Sequence, residues 1–149
     1  MGRGYPPQTA GLMGQIDHLV QQILRLHILG VLYAGLADDH RSASQQALDL
    51  LSAVMLNPKD EIIVEDPTYL AALQSFHLYD PTVLPVELRS DGINCEALEQ
   101  TLATHNPKFI YVIPNFQNPT GLTYSTEVRE KAAELLKKTN VLVLEDNPY

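Results

Sequence analysis

The sequence predicts an α/β fold, a mainly parallel sheet with helices on both faces in a three-layer α/β/α arrangement. Three observations predict it. Short runs that are apolar almost throughout, "EIIVE", "FIYVI" and "VLVLE", recur beyond residue 60 and read as strands buried on both faces. Between them lie amphipathic stretches of ten or more residues, long enough to be the helical crossovers that parallel strands require. Polar clusters rich in Asn, Asp, Pro and Tyr follow three of the strands, where open parallel sheets gather their ligands.

In chain order, Ile16, Leu19, Val20, Ile23 and Leu24 recur at helical spacing, which predicts an amphipathic helix over residues 14–33. "GLADDHRSAS" breaks that pattern. A second helix, "SQQALDLLSAVML", follows, with Ser42 or Ser44 as its cap and Asn57-Pro58 as its stop. The alternation then begins. "EIIVE" is a strand, "TYLAALQSFHLY" a helix, "TVLPVEL" a strand, "NCEALEQTLATH" a helix, "KFIYVI" a strand, "STEVREKAAELLKKT" a helix and "VLVLE" a strand.

Composition narrows the function classes. A chain of 149 residues with 45% hydrophobic content is long enough for one domain with a real core. Its net charge of −8 and lack of a basic block argue against nucleic acid or an anionic membrane as partner. The most apolar window, "ILRLHILGVLYAGLA", is shorter than the ~20 residues that span a bilayer and carries Arg25 and His27. The single cysteine, Cys95, has no second cysteine to pair with and no neighbouring histidine, so it reads as a structural or surface thiol. With no evident signal peptide, the expected compartment is a reducing cytoplasm.

The three post-strand clusters are "EDPTY", "PNFQNPTG" and "EDNPY". Each has a plain explanation alone: Asn-Pro-Thr-Gly is common turn chemistry, Asp146 suits a helix cap, and Tyr69 suits a core aromatic. Together, with "SASQQALDLL" upstream, their order and spacing resemble the class I/II aminotransferases, fold-type-one enzymes that use pyridoxal 5'-phosphate. The run looks most like the 2-aminoadipate and multisubstrate branch, which also supplies the effector domain of one group of bacterial transcription regulators. The resemblance covers residues 41–149, as part of the large, pyridoxal-phosphate-binding domain. Residues 1–40 match it poorly and read as a separate N-terminal helical segment.

The resemblance implies amino-group transfer from an amino acid to a 2-oxo acid, and a homodimer in a full-length parent. It places Asn118 beside the hydroxyl oxygen of the cofactor ring; in some members of the family the bond equivalent to Asn118-Pro119 is cis. It sets Asp146 opposite the ring nitrogen, Tyr149 toward the same ring hydroxyl as Asn118, and Tyr69 against the ring face. The phosphate falls to "SASQQ", where the amides of Ser44 and Gln45 open a helix. Ala43 stands where the family's phosphate loop has glycine.

The resemblance also implies an incomplete site. The family's Schiff-base lysine and its phosphate- and carboxylate-binding arginines lie downstream of "EDNPY", and Lys59, Lys108, Lys131, Lys137 and Lys138 read as surface charges. The expectation is therefore a fragment or an incomplete gene model, inactive by itself, poorly soluble or oligomeric, with about four strands of the family's seven-stranded sheet. The competing expectations are a regulator's effector domain and a noncatalytic remnant.

Overall fold

The computed structural model describes residues 40–147, with side chains from Gln45 onward. The helix expected over residues 14–33, and Tyr149, lie outside the described residues. The elements run α1 (His40–Met55), β1 (Glu61–Asp66), α2 (Leu70–His77), β2 (Thr82–Arg89), β3 (Gly92–Ile93), α3 (Cys95–Thr104), β4 (Phe109–Val112), α4 (Thr126–Leu136) and β5 (Leu142–Glu145). The strands join in one sheet of order β3-β2-β1-β4-β5. β2, β1, β4 and β5 are mutually parallel, as their continuous apolar runs predict, whereas β3 pairs antiparallel with β2.

The period-2 alternation of the strands builds two cores. Ile62, Val64, Phe109, Tyr111 and Leu144 face one way and pack with Leu48 and Leu56, which bracket the second half of α1, and with Ala72 and Phe76 of α2. Ile63, Val86 and Ile110 face the other way, against Leu98 of α3 and Val128 of α4. Phe76 lies edge-on to Phe109 (5.4 Å) and Tyr111 (5.5 Å), the arrangement that aromatic quadrupoles favour. The α/β/α layering is thus set by which residues alternate into each face.

Two helices carry full caps. The Asn94 side chain accepts from the amides of Glu96 and Ala97 at the start of α3, and the Ser125 hydroxyl accepts from Val128 N–H at the start of α4. α1 departs from expectation. It begins at His40, so Ser42 and Ser44 lie inside the helix instead of capping it.

The short β3 was not expected. It closes a hairpin with β2 through Ser90 and Asp91, with Arg89 paired to Gly92 and Leu88 to Ile93; the "DG" dipeptide is its sequence signal. Gly92 adopts φ +140°, and a Cβ there would stand 2.7 Å from Val128 Cγ1 and 3.0 Å from Tyr124 Cγ. The hairpin packs this closely on α4 because position 92 has no side chain. Cys95, immediately beyond, is buried with its thiol directed at the Val128 carbonyl, the structural role that the sequence leaves open. Gly92→Ala should destabilise the fold by about 2 kcal/mol, from the crowding and the left-handed backbone together. Urea unfolding measures this, and a loss within error of zero would contradict the packing argument.

Candidate cofactor site at the carboxyl edge of the sheet

β1 is followed by β2 on one side, while β4 and β5 continue on the other. The direction of winding therefore reverses between β1 and β4, and the crevice outside their carboxyl ends is the place where such sheets bind ligands. The segments after β1, β4 and β5 carry "PTY", "PNFQNPTG" and, within the described residues, "DN". The described residues of the three expected clusters thus leave the sheet at the same edge.

α1 reaches this edge by its amino-terminal end. Its last helical residue, Met55, accepts through its carbonyl from Lys108 Nζ, and Lys108 precedes the amino end of β4. A helix of 16 residues is about 24 Å long, so the opposite end lies toward the carboxyl edge. Because α1 starts at His40, however, the amides of Ser44 and Gln45 fall on its second turn, where backbone N–H groups serve the preceding carbonyls. The expectation that these two amides open the helix is corrected to that extent. The Gln45 side chain donates to Ser75 Oγ at 2.6 Å and to Asp49 Oδ1 at 3.2 Å, which ties α1 to α2.

Asp146 is partly buried just past β5, where its N–H extends the ladder to the Val112 carbonyl at 2.9 Å. The hydroxyl of Tyr111, from the adjacent strand β4, donates to Asp146 Oδ2 at 2.7 Å. Tyr111 is itself fully buried between Phe76 and its sheet neighbours, so core packing fixes that hydroxyl. Desolvation holds the Asp146 carboxyl above the usual carboxylate range, and the bond from Tyr111 opposes that rise. Tyr69 precedes the first residue of α2 and is half-buried against the same core face as Tyr111. Asn118 is exposed on the turn after β4, and its bond to Pro119 is cis, as in some members of the family that the sequence resembles.

The chief feature missed in the sequence is a second carboxylate. Glu65, the penultimate residue of β1, is 1% exposed. Its Oε1 accepts from Ile113 N–H at 2.9 Å and from Tyr124 Oη at 2.5 Å, while Oε2 accepts from Gln117 Nε2 at 2.8 Å. Desolvation raises its pKa, those donors lower it, and the charge of Asp146 raises it further. The signal was available in the strand pattern, because Glu65 shares the inward parity of Ile63.

Three of the five lysines are engaged in ion pairs elsewhere. Lys59 pairs with Asp80 at 2.8 Å, Lys108 with Asp60 at 2.6 Å, and Lys131 with Glu96 at 2.5 Å. Lys59 and Lys108 stand at the amino edge of the sheet, ahead of β1 and β4, far from the clusters.

The family model for aminotransferase class I and II matches residues 41–149. The chain belongs to this family. The aminotransferase chain is 44% identical over 113 residues to aromatic-amino-acid aminotransferase 1 of Thermococcus litoralis, a match covering 72% of this chain and 27% of that protein. A multiple substrate aminotransferase from Thermococcus profundus superimposes with a TM-score of 0.68 at 44% identity, covering 71% of this chain and 28% of that one. An α-aminoadipate aminotransferase from Thermus thermophilus, solved with N-(5'-phosphopyridoxyl)-L-leucine, gives 0.68 at 38% identity, covering 70% and 27%. The chain therefore spans just over a quarter of the length of these relatives. Its doubly covered, mostly parallel sheet is the fold-type-one architecture of those neighbours.

The desolvated carboxylate sets a pH dependence. Burial makes the folded state prefer protonated Asp146, so its contribution to stability falls as pH rises from the unfolded carboxylate value, about 3.9, through the raised folded value. Asp146→Asn keeps an oxygen for Tyr111 and removes the charge. The stability of the native sequence minus that of the variant should become steadily less favourable as pH rises from about 4 through the raised folded value. Urea titrations at several pH values read this, and a flat difference would refute it.

Proposed function

We propose that the chain is the N-terminal part of a pyridoxal-phosphate-dependent aminotransferase that moves an amino group from an amino acid to a 2-oxo acid. The observation that carries this reading is the position of Asp146. It is a partly buried carboxylate held by Tyr111 at the crevice where the sheet reverses its winding, in a chain of the aminotransferase family. Residues 41–149 are assigned to part of the cofactor-binding large domain and residues 1–40 to a separate segment. A homodimeric parent is the proposed assembly.

The donor set suits the cofactor. Among the described residues, Tyr111 is the only hydrogen-bond partner of the Asp146 carboxylate, so an oxygen remains for a protonated ring nitrogen. The Thr68 hydroxyl, next to Tyr69, is buried without a partner among the described residues and suits a polar ligand atom. Bound there, pyridoxal 5'-phosphate supplies an electron-accepting ring. Asp146 would keep the ring nitrogen protonated, Asn118 would donate its amide N–H to the ring hydroxyl oxygen, with Tyr149 directed there too, and Tyr69 would lie along the ring face. The phosphate is proposed for the amino-terminal turns of α1, near Ser44 and Gln45, at the positive end of the helix dipole. Since no lysine in the sequence is assigned to covalent attachment, the part of the reaction that needs an amine and a proton-moving base belongs to the longer parent.

Among the described residues no helix is long and apolar enough to cross a membrane. Together with the lone buried thiol, this supports placing the protein in the reducing cytoplasm.

Titration with pyridoxal 5'-phosphate, followed by absorbance and thermal unfolding, tests the reading. Saturable binding that raises the melting temperature is expected. Asp146→Ala should weaken it roughly ten- to a hundredfold, the loss typical of a hydrogen bond to a charged group. No saturable binding in a folded chain would overturn the half-site.

A further inference from the structure

Gln117, the residue before Asn118, has every polar group engaged. Its Nε2 donates to Glu65 Oε2 and to the Pro67 carbonyl, each at 2.8 Å. Its Oε1 accepts from Thr120 N–H at 3.0 Å and from Thr120 Oγ1 at 2.6 Å. Two donor hydrogens and two acceptor positions are thereby filled, and the residue is 1% exposed. Its backbone closes the turn as well: its N–H donates to the Leu122 carbonyl at 2.8 Å, and its carbonyl accepts from Gly121 N–H at 2.5 Å.

These bonds have a direction. Glu65 turns Oε1 to Ile113 and Tyr124, which leaves Oε2 to select the amide nitrogen of Gln117. Rotating that amide by half a turn would set its NH₂ against the Thr120 N–H and its oxygen against the Pro67 carbonyl. The polarity therefore runs from the end of β1, through Gln117, into the Asn-Pro-Thr-Gly turn. Pro67 lies two residues before Tyr69, so one side chain also sets the β1 loop against that turn. Phe116, immediately upstream, sits at φ +48°, a left-handed conformation that a bulky residue keeps only where its surroundings over-determine it.

We propose that Glu65 and Gln117 are positioning residues, a buried clamp that fixes the turn bearing Asn118, and the loop leading to Tyr69, at the mouth of the site beside Asp146. They touch neither cofactor nor substrate. What the clamp holds Asn118 toward rests on the cofactor reading above; that it holds the turn does not.

Glu65→Gln is the informative variant. If its new amide oxygen stays on Ile113 and Tyr124, its NH₂ faces the NH₂ of Gln117, and no rotation of either amide satisfies both. Hydrogen exchange of the whole chain should then show residues 115–122 and 66–69 exchanging at least about tenfold faster, with β4 and β5 unchanged. Thr120→Val, at an exposed position, removes one donor to Gln117 and the acceptor of the Leu122 N–H without threatening the fold, and should loosen residues 115–122 alone. Tyr124→Phe removes a bond to the same carboxylate but none to Gln117, and should affect the turn least.

The second readout is the affinity and absorbance spectrum of added pyridoxal 5'-phosphate. Selective loosening with weaker binding and an altered ring absorbance supports the clamp. Unchanged exchange in the turn overturns it, as does a turn as mobile in Tyr124→Phe as in Glu65→Gln. Loosening with unchanged affinity and spectrum overturns the positioning role. If the native sequence binds no pyridoxal phosphate at all, the cofactor reading fails, and hydrogen exchange alone decides whether the clamp holds the turn.

Discussion

The carboxyl edge of this sheet depends on the donors that converge on Glu65. A carboxylate at 1% exposure is tolerable only if its oxygens are satisfied inside the protein. Ile113, Gln117 and Tyr124, which satisfy them, lie 48, 52 and 59 residues further along the chain. All three donors are in place only after β1 and β4 have paired and the segment beyond β4 has folded back over the sheet. The contact thus marks completion of this edge, and its loss leaves a buried charge that no nearby group replaces.

Asp146 answers to a different core. Its partner Tyr111 points to the face covered by α1 and α2, where Phe76 packs edge-on against the ring, whereas Glu65 points to the face covered by α3 and α4. Each carboxylate is therefore positioned by the packing of one layer. The sheet between them transmits electrostatics nonetheless, because the charge of Asp146 makes ionisation of Glu65 harder. Two layers that share no helix are coupled through the charges at their common edge.

Much of this was legible in the sequence. Apolar runs such as "FIYV" have no helical alternative at four residues between turn signals, and the helices between them are long enough only for parallel crossovers. The order and spacing of the polar clusters pointed to the family to which the chain belongs, and to the carboxyl edge of the sheet as the candidate site. What escaped has physical causes. β3 is two residues long, too short for any period to show, and only its Asp-Gly turn betrays it. The start of α1 was placed at a serine because serine favours caps, yet the helix continues four residues upstream of Ser44. Glu65 looked like the polar end of a strand, since a charged residue beside Asp66 and Pro67 usually meets water. The inward parity it shares with Ile63 signals its burial, but the donors Gln117 and Tyr124 that satisfy it are distant in the chain, and no local pattern records them.

The two carboxylates also differ in what a ligand can gain from them. Both are held above the ordinary range by burial, so each carries a desolvation cost in its ionised form. At Glu65 that cost is offset from within, and three donors leave it closed to anything else. At Asp146 only Tyr111 offsets it among the described residues. A cationic group arriving beside Asp146 would therefore add stabilisation beyond that supplied by Tyr111, and by linkage would strengthen the fold as it bound. It would also ease the ionisation of Glu65, which the charge of Asp146 opposes.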